Sequence, residues 1–442
     1  MRAIPLFYCH MFLATLVGCG GGGEHPTPVS SPTSPVISSS AMHSGAMSAY
    51  LQEGVVVGIA PGRTVVNRAL LRIVHDTADD PSALQSRLHP LSLRNISGTS
   101  IDPTHGVGAA FDYRDTRLSL FRISDGVELN IYLTQDIFGA PTLTFGGAKG
   151  VYTSGIILDA ASQRLIAATS RGFLFIDYHD PQRPTLTHSI ASLEVDPANG
   201  VEIIEHFALH PTLRVGDTRQ PFLFSGGNYQ NRTGDALVII DINAGEVFRP
   251  DAATKALFIV DQYIDSIALD TVYNVALLSD EGSGLTFVDL NQLQINATDH
   301  TFHLPVSAVT RDTTVTNFTQ VAISPQNHLV LFGAGMTPAH TYFIAELSSP
   351  ATTMGFARRS PVLTMPDIVL ANGKHVPWSG AQDPHAVVAV ATDSTVFGYW
   401  MNDRNNAIAT FDINAILKNS TSQVGYDPAT ASPPATYVRA LP

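Results

Sequence analysis

Carboxylates and imidazoles are the side chains that hold divalent cations or move protons. Six of them stand in comparable places in this sequence: His105, Glu205, His206, Asp265, Asp383 and His385. Each lies just ahead of, or at the start of, a short apolar segment. Ser154 and Thr319 or Gln320 stand in the same place before two further segments. If those segments are the inner strands of a ring, their starts meet at one rim, and residues far apart in the chain converge there. Such a rim can bind a divalent cation or a small ligand, or supply an acid and a base. The same residue types also suit the lining of a wet polar channel. Tyr152 and Tyr263 nearby read as packing residues.

Other chemistry finds little footing. Gly333-Ala334-Gly335 lacks the third glycine and the βαβ setting of a dinucleotide loop. There is no Gly-x-Ser-x-Gly elbow. Glu205-His206 and His210 do not have the spacing of a zinc-binding His-Glu-x-x-His. Asp280-Glu281-Gly282-Ser283-Gly284 lacks the alternating oxygen ligands of a calcium loop and reads as a hairpin turn. The two cysteines, Cys9 and Cys19, both fall near the start of the chain. The rest of the sequence therefore has no thiol for nucleophilic or zinc chemistry.

The elements that must position the six residues are strands. Helical periodicity is nearly absent, and short Val/Ile/Leu/Phe runs are punctuated by Gly, Pro, Asn and Asp. One unit reads Gly155-Ile156-Ile157-Leu158-Asp159, Arg164-Leu165-Ile166-Ala167-Ala168-Thr169, Gly172-Phe173-Leu174-Phe175-Ile176-Asp177. A second reads Ser266-Ile267-Ala268-Leu269-Asp270, Asn274-Val275-Ala276-Leu277-Leu278, Gly284-Leu285-Thr286-Phe287-Val288-Asp289. An inner strand ends in Asp, a second strand follows a turn, and a third opens on Gly and closes on Asp. Degenerate copies are anchored at Asp112, His210, Ser324 and Asp393. Residues 50–95 hold strands for a further, divergent unit, and Thr436-Tyr437-Val438-Arg439 is a candidate for the strand that closes a ring.

A four-stranded antiparallel unit cannot bury both faces alone, and packing units around an axis does so. The pattern resembles the YVTN, NHL and lactonase-like β-propellers. The resemblance implies an all-β chain of six to seven four-stranded blades after a disordered N-terminal tether, with any site on the central axis. The Gly-His and Trp-Asp marks of WD40 repeats are missing, and Trp378 and Trp400 are the only tryptophans.

Residues 1–18 read as an export signal, with Arg2 ahead of an apolar run from Ile4 to Val17. The run is shorter than the ~20 residues of a spanning helix. Leu16-Val17-Gly18-Cys19 is similar to the lipobox of bacterial lipoproteins. That resemblance implies cleavage before Cys19, lipidation of its thiol and amino group, and a bilayer partner held through the acyl chains. Gly20 after the cysteine favours the outer membrane, with the domain facing periplasm or cell surface. Residues 19–47 read as a Gly/Pro/Ser tether and 48–442 as the propeller.

Charged residues make up 14% of the chain, the net charge is −13, and the only lysines are Lys149, Lys255, Lys374 and Lys418. Without a basic stripe, nucleic-acid binding is disfavoured. The expected protein is a monomeric envelope lipoprotein whose propeller binds or scaffolds without catalysis. Its partner is an envelope protein or a small ligand. The alternatives are a metal-dependent lactonase-like hydrolase with a divalent cation in the channel, and a small-ligand or glycan sensor.

Overall fold

The computed structural model describes residues 48–440 apart from 53–54, 66–67, 78–79, 113–116, 134–143, 146–147, 150–152, 170–171, 192–206, 217, 220–221, 227–236, 259–263, 265, 281–283, 317, 319, 334–340, 371, 379–386, 392–395, 403–406, 424 and 432–433. Seven antiparallel sheets of at least four strands follow one another along these residues. They span 48–90, 98–133, 153–191, 207–250, 266–312, 320–359 and 387–440, and are numbered here as blades 1 to 7. The first strand of each is innermost. Inner strands Ser48–Gln52, Gly98–Asp102, Thr153–Asp159, Phe207–His210, Ser266–Asp270, Gln320–Ser324 and Val387–Ala391 pack in sequence, and the last packs against the first. The fold is a closed β-propeller.

The side-chain pattern explains the ring. Inner strands such as Ser266–Asp270 and Gln320–Ser324 are buried at every residue. Alternate side chains serve two neighbours, as the period of two requires. Ile267 and Leu269 pack back onto blade 4, among Phe224, Ile239 and Phe248. Ala268 packs forward onto blade 6, among Val321, Ile323 and Phe332. The same alternation places Ile156 and Leu158 on blade 2 and Ile157 on blade 4. The core is therefore a set of apolar layers between adjacent blades.

Two expectations need correction. The inner strand of blade 2 is Gly98–Asp102, and the Gly108–Phe111 segment ahead of Asp112 belongs to its second strand, Val107–Phe111. Val107–Phe111 is the more apolar of the two and runs into Asp112, so it fits the inner-strand pattern better than Gly-Thr-Ser-Ile-Asp at 98–102 does. Thr436–Ala440 does not close the ring. It is the outer strand of blade 7, paired with Ala407–Asp412 of the same blade. The ring closes by packing of one inner strand on another.

One insertion breaks the regular plan. Between the third and fourth strands of blade 5, the hairpin Gln294–Asn296 and Thr301–His303 pairs in parallel with Glu246–Pro250, the outer strand of blade 4. It covers a strand edge that would otherwise be open to pairing with another chain.

Candidate functional site

Three inner strands, those of blades 2, 3 and 5, end in a turn held by the Asp that closes the strand. The Oδ1 of Asp270 accepts the N–H groups of Val272 and Tyr273 at 3.0 and 2.8 Å. Asp159 accepts from Ala161 at 3.2 Å and Asp102 from His105 at 3.2 Å. These are the local turns that aspartate favours. Four positions on, Gly106, Gln163, Asn274 and His328 all have positive φ. That left-handed residue lets the chain reverse into the second strand.

The same end residues are bonded from the following blade. Tyr178 of blade 3 donates its hydroxyl to Asp102 of blade 2 at 2.8 Å. Asn274 of blade 5 accepts from His210 Nε2 of blade 4 at 3.1 Å. His328 of blade 6 donates from Nδ1 to Asp270 of blade 5 at 2.8 Å. Three seams thus carry a polar clamp at one level of the ring. Burial pushes the Tyr178 phenol well above its ordinary value, and the charge and hydrogen bond of Asp102 push it further. Burial pushes His210 down to about 4, against the opposing effect of its bond to Asn274.

The residues on either side of Asp102, His210 and Asp270 in the chain line a cavity of about 300 Å³ on the propeller axis, at the ends of the inner strands. Five blades supply its wall through Ile101, Ile157, Leu209, Leu269 and Ile323, with the small Ala208, Ala268 and Ala322 between them. Its rim at the ends of the inner strands carries Thr104, Thr271 and Gln326. This wall belongs to the end halves of the inner strands and is mostly apolar, whereas the polar residues expected at the strand starts lie largely outside the described residues. The apolar wall follows from the alternation described above: inner-strand side chains serve the layers between blades, and large apolar residues there also border the axis.

Of the residues expected to converge, His105 is placed at the other end of its strand. It lies in the turn after Asp102, to which its Nδ1 donates at 2.6 Å. Gln320 is buried at the start of the blade 6 inner strand. Cys19, Glu205, His206, Asp265, Asp383 and His385 lie outside the described residues. Among the described residues there is no group of three or more His, Cys, Asp or Glu side chains placed to hold a metal ion. Of the clamp residues, Asp102 and Asp270 are signalled in the sequence by their place at a strand end, whereas Tyr178 and His328 carry no local motif.

No protein-family model matches the chain, and no curated protein matches it. Solved structures do. A protein from Lactobacillus plantarum is 9% identical, with a TM-score of 0.51 over 76% of this chain and 85% of that one. The Cps50 (Swd1) β-propeller domain of Myceliophteria thermophila is 13% identical, with a TM-score of 0.47 over 87% and 96%. A 6-phosphogluconolactonase-like protein from Bacteroides uniformis is 9% identical, with a TM-score of 0.46 over 71% and 82%. At 9% identity the likeness to the Lactobacillus plantarum protein is one of fold alone.

Proposed function

We propose that this chain is a lipid-anchored protein of the cell envelope whose propeller is a non-catalytic binding module, with the axial cavity as its site. The anchor reading rests on Leu16-Val17-Gly18-Cys19 at the end of an apolar run behind Arg2. More than one acyl chain on Cys19 would give firm attachment, which a single chain does not. The binding reading rests on one observation above all. Acid–base groups near the cavity mouth are already committed to structure. Asp102 and Asp270 give Oδ1 to turn N–H groups and Oδ2 to His105 and Tyr178 or to His328. A general base must be free to reach the proton that it abstracts.

Two measurements test this. Labelled palmitate should enter the wild-type chain expressed in a Gram-negative host and be absent from Cys19→Ser, which should accumulate as uncleaved precursor. Label in the variant overturns the anchor. The purified chain with added Ca²⁺ or Zn²⁺ should turn over no lactone. Metal-dependent hydrolysis lost in Asp265→Ala or His385→Ala would overturn the binding module and favour a hydrolase that uses those residues.

A further inference from the structure

The axial cavity has a chemistry of its own. Its described lining contains no Lys, Arg or His, and its one carboxylate, Asp159, is bound by Ala161 N and Ser162 Oγ. The wall side chains are apolar, Phe207 among the aliphatic ones, and most of each lies in the layers between blades, so that Ile101, Ile323 and Ile157 turn only an edge to the cavity. An apolar cavity of roughly half this volume can stay dry and take an apolar guest. The free edges of inner strands border the axis as well. They offer a few backbone donors and acceptors, which suits the usual composition of small-ligand sites. The rim adds neutral hydrogen-bonding groups on Thr104, Thr271 and Gln326. An anionic guest would meet Asp159 without a cation to offset it, in a chain of net charge −13. By volume the cavity holds on the order of ten heavy atoms.

We infer that the cavity binds an uncharged, largely aliphatic small molecule with one hydrogen-bonding group, its aliphatic part along the axis and its polar end at the Thr104–Thr271–Gln326 rim. This deepens the binding-module reading and rests on it. The shape of the wall argues for an end-on guest, because five consecutive inner strands run side by side along it.

The test uses the purified chain with 1-octanol and with octanoate at equal concentration. Octanol should bind saturably, one per chain by calorimetry, and raise the melting temperature. Octanoate should bind at least tenfold more weakly. Thr271→Trp, which puts an indole at the rim without touching the aliphatic wall, should lose octanol binding at least tenfold with an unchanged far-ultraviolet spectrum. As a check free of folding effects, 8-bromo-1-octanol diffused into crystals of the wild type should give an anomalous bromine peak on the axis. Absence of saturable octanol binding, equal binding of octanoate, or bromine elsewhere would overturn the inference. Lactone turnover would overturn the binding-module reading itself, whether or not octanol binds, so the two failures are separable.

Discussion

The Nδ1–H of His328 in blade 6 is bonded at 2.8 Å to the buried carboxylate of Asp270, which ends the inner strand of blade 5. His328 also stacks on Tyr273, with ring centroids 3.4 Å apart and planes 3° apart. Its own φ is +56°, a conformation that Asn tolerates and Ala does not favour. One side chain thus holds a turn and a seam together. His328→Ala should destabilise the fold by about 2 kcal/mol, because it leaves a buried acceptor short of a donor and adds left-handed strain. His328→Asn keeps a donor and suits the backbone, and should recover about half of that loss. Denaturant unfolding of the three proteins checks the order.

His210 makes stability depend on acid. Its imidazole is fully buried, and its pKa falls from an ordinary 6.5 to about 4. Between those values the unfolded chain binds a proton that the folded chain refuses. Stability therefore rises with pH from 4 to 6.5 and is flat with respect to this group above 6.5. The full effect is on the order of 3 kcal/mol. His210→Gln keeps an N–H for Asn274 and removes the titration. The difference in unfolding free energy between wild type and variant, measured from pH 7.5 down to 4, should change along that slope. A constant difference would refute the assignment.

Glycines that look alike in sequence should behave differently. Gly172 and Gly284 open the third strands of blades 3 and 5, at φ +134° and +91°. A Cβ there would lie 1.9 Å from the Ile190 carbonyl oxygen or 2.4 Å from that of Asp312. Gly216, at φ +61°, has no atom within 4 Å of such a Cβ. Ala at 172 or 284 should cost about 3 kcal/mol or more, and Ala at 216 about 1 kcal/mol. Thermal melts of the three single variants rank them.

Tyr178→Phe should cost about 1–2 kcal/mol, since Asp102 loses one donor but keeps His105 Nδ1 and the His105 N–H. The double variant with His105→Ala should lose more than the sum of the two singles, because together they leave Oδ2 of the buried carboxylate without either side-chain donor. A double-mutant cycle in urea measures the excess.

The blade grammar was legible because it follows from local chemistry. An Asp that can fold back on its own turn, a Gly at the head of the third strand and two apolar runs between them are all short-range signals. Asp177, Asp241 and Asp289 each accept an N–H two residues on, as their place at the end of a third strand suggests. Residues 50–95 looked divergent and yet form a regular four-stranded blade, with Val55–Val65 and Arg68–Thr77 at its centre. The long-range facts were not legible. Val107–Phe111 fits the apolar inner-strand pattern better than Gly98–Asp102, with its Thr99 and Ser100, and only packing against the neighbouring blades identifies the inner one. The nature of the axis was hidden for a similar reason. Ile101 and Leu269 are spaced like layer residues and are layer residues, yet the convergence of five blades also brings them to the cavity. The clamps join residues 76, 64 and 58 positions apart. No spacing rule connects Tyr178 with Asp102.

Ser48 at the start of one inner strand is bonded to Thr99 near the start of the next, at 2.9 Å. The strands therefore run the same way, from an entry pole to the pole where Thr104, Thr271 and Gln326 ring the cavity. The chain joins the ring at the entry pole, and the alternating strands of blade 7 return Ala440 to that same pole. Ser48 and Ala440 therefore share one pole, and the cavity mouth opens at the other. New chain ends cut at 103–106, in the turn after Gly98–Asp102, would stand beside the mouth, while a link from Ala440 to Ser48 would stay at the far pole.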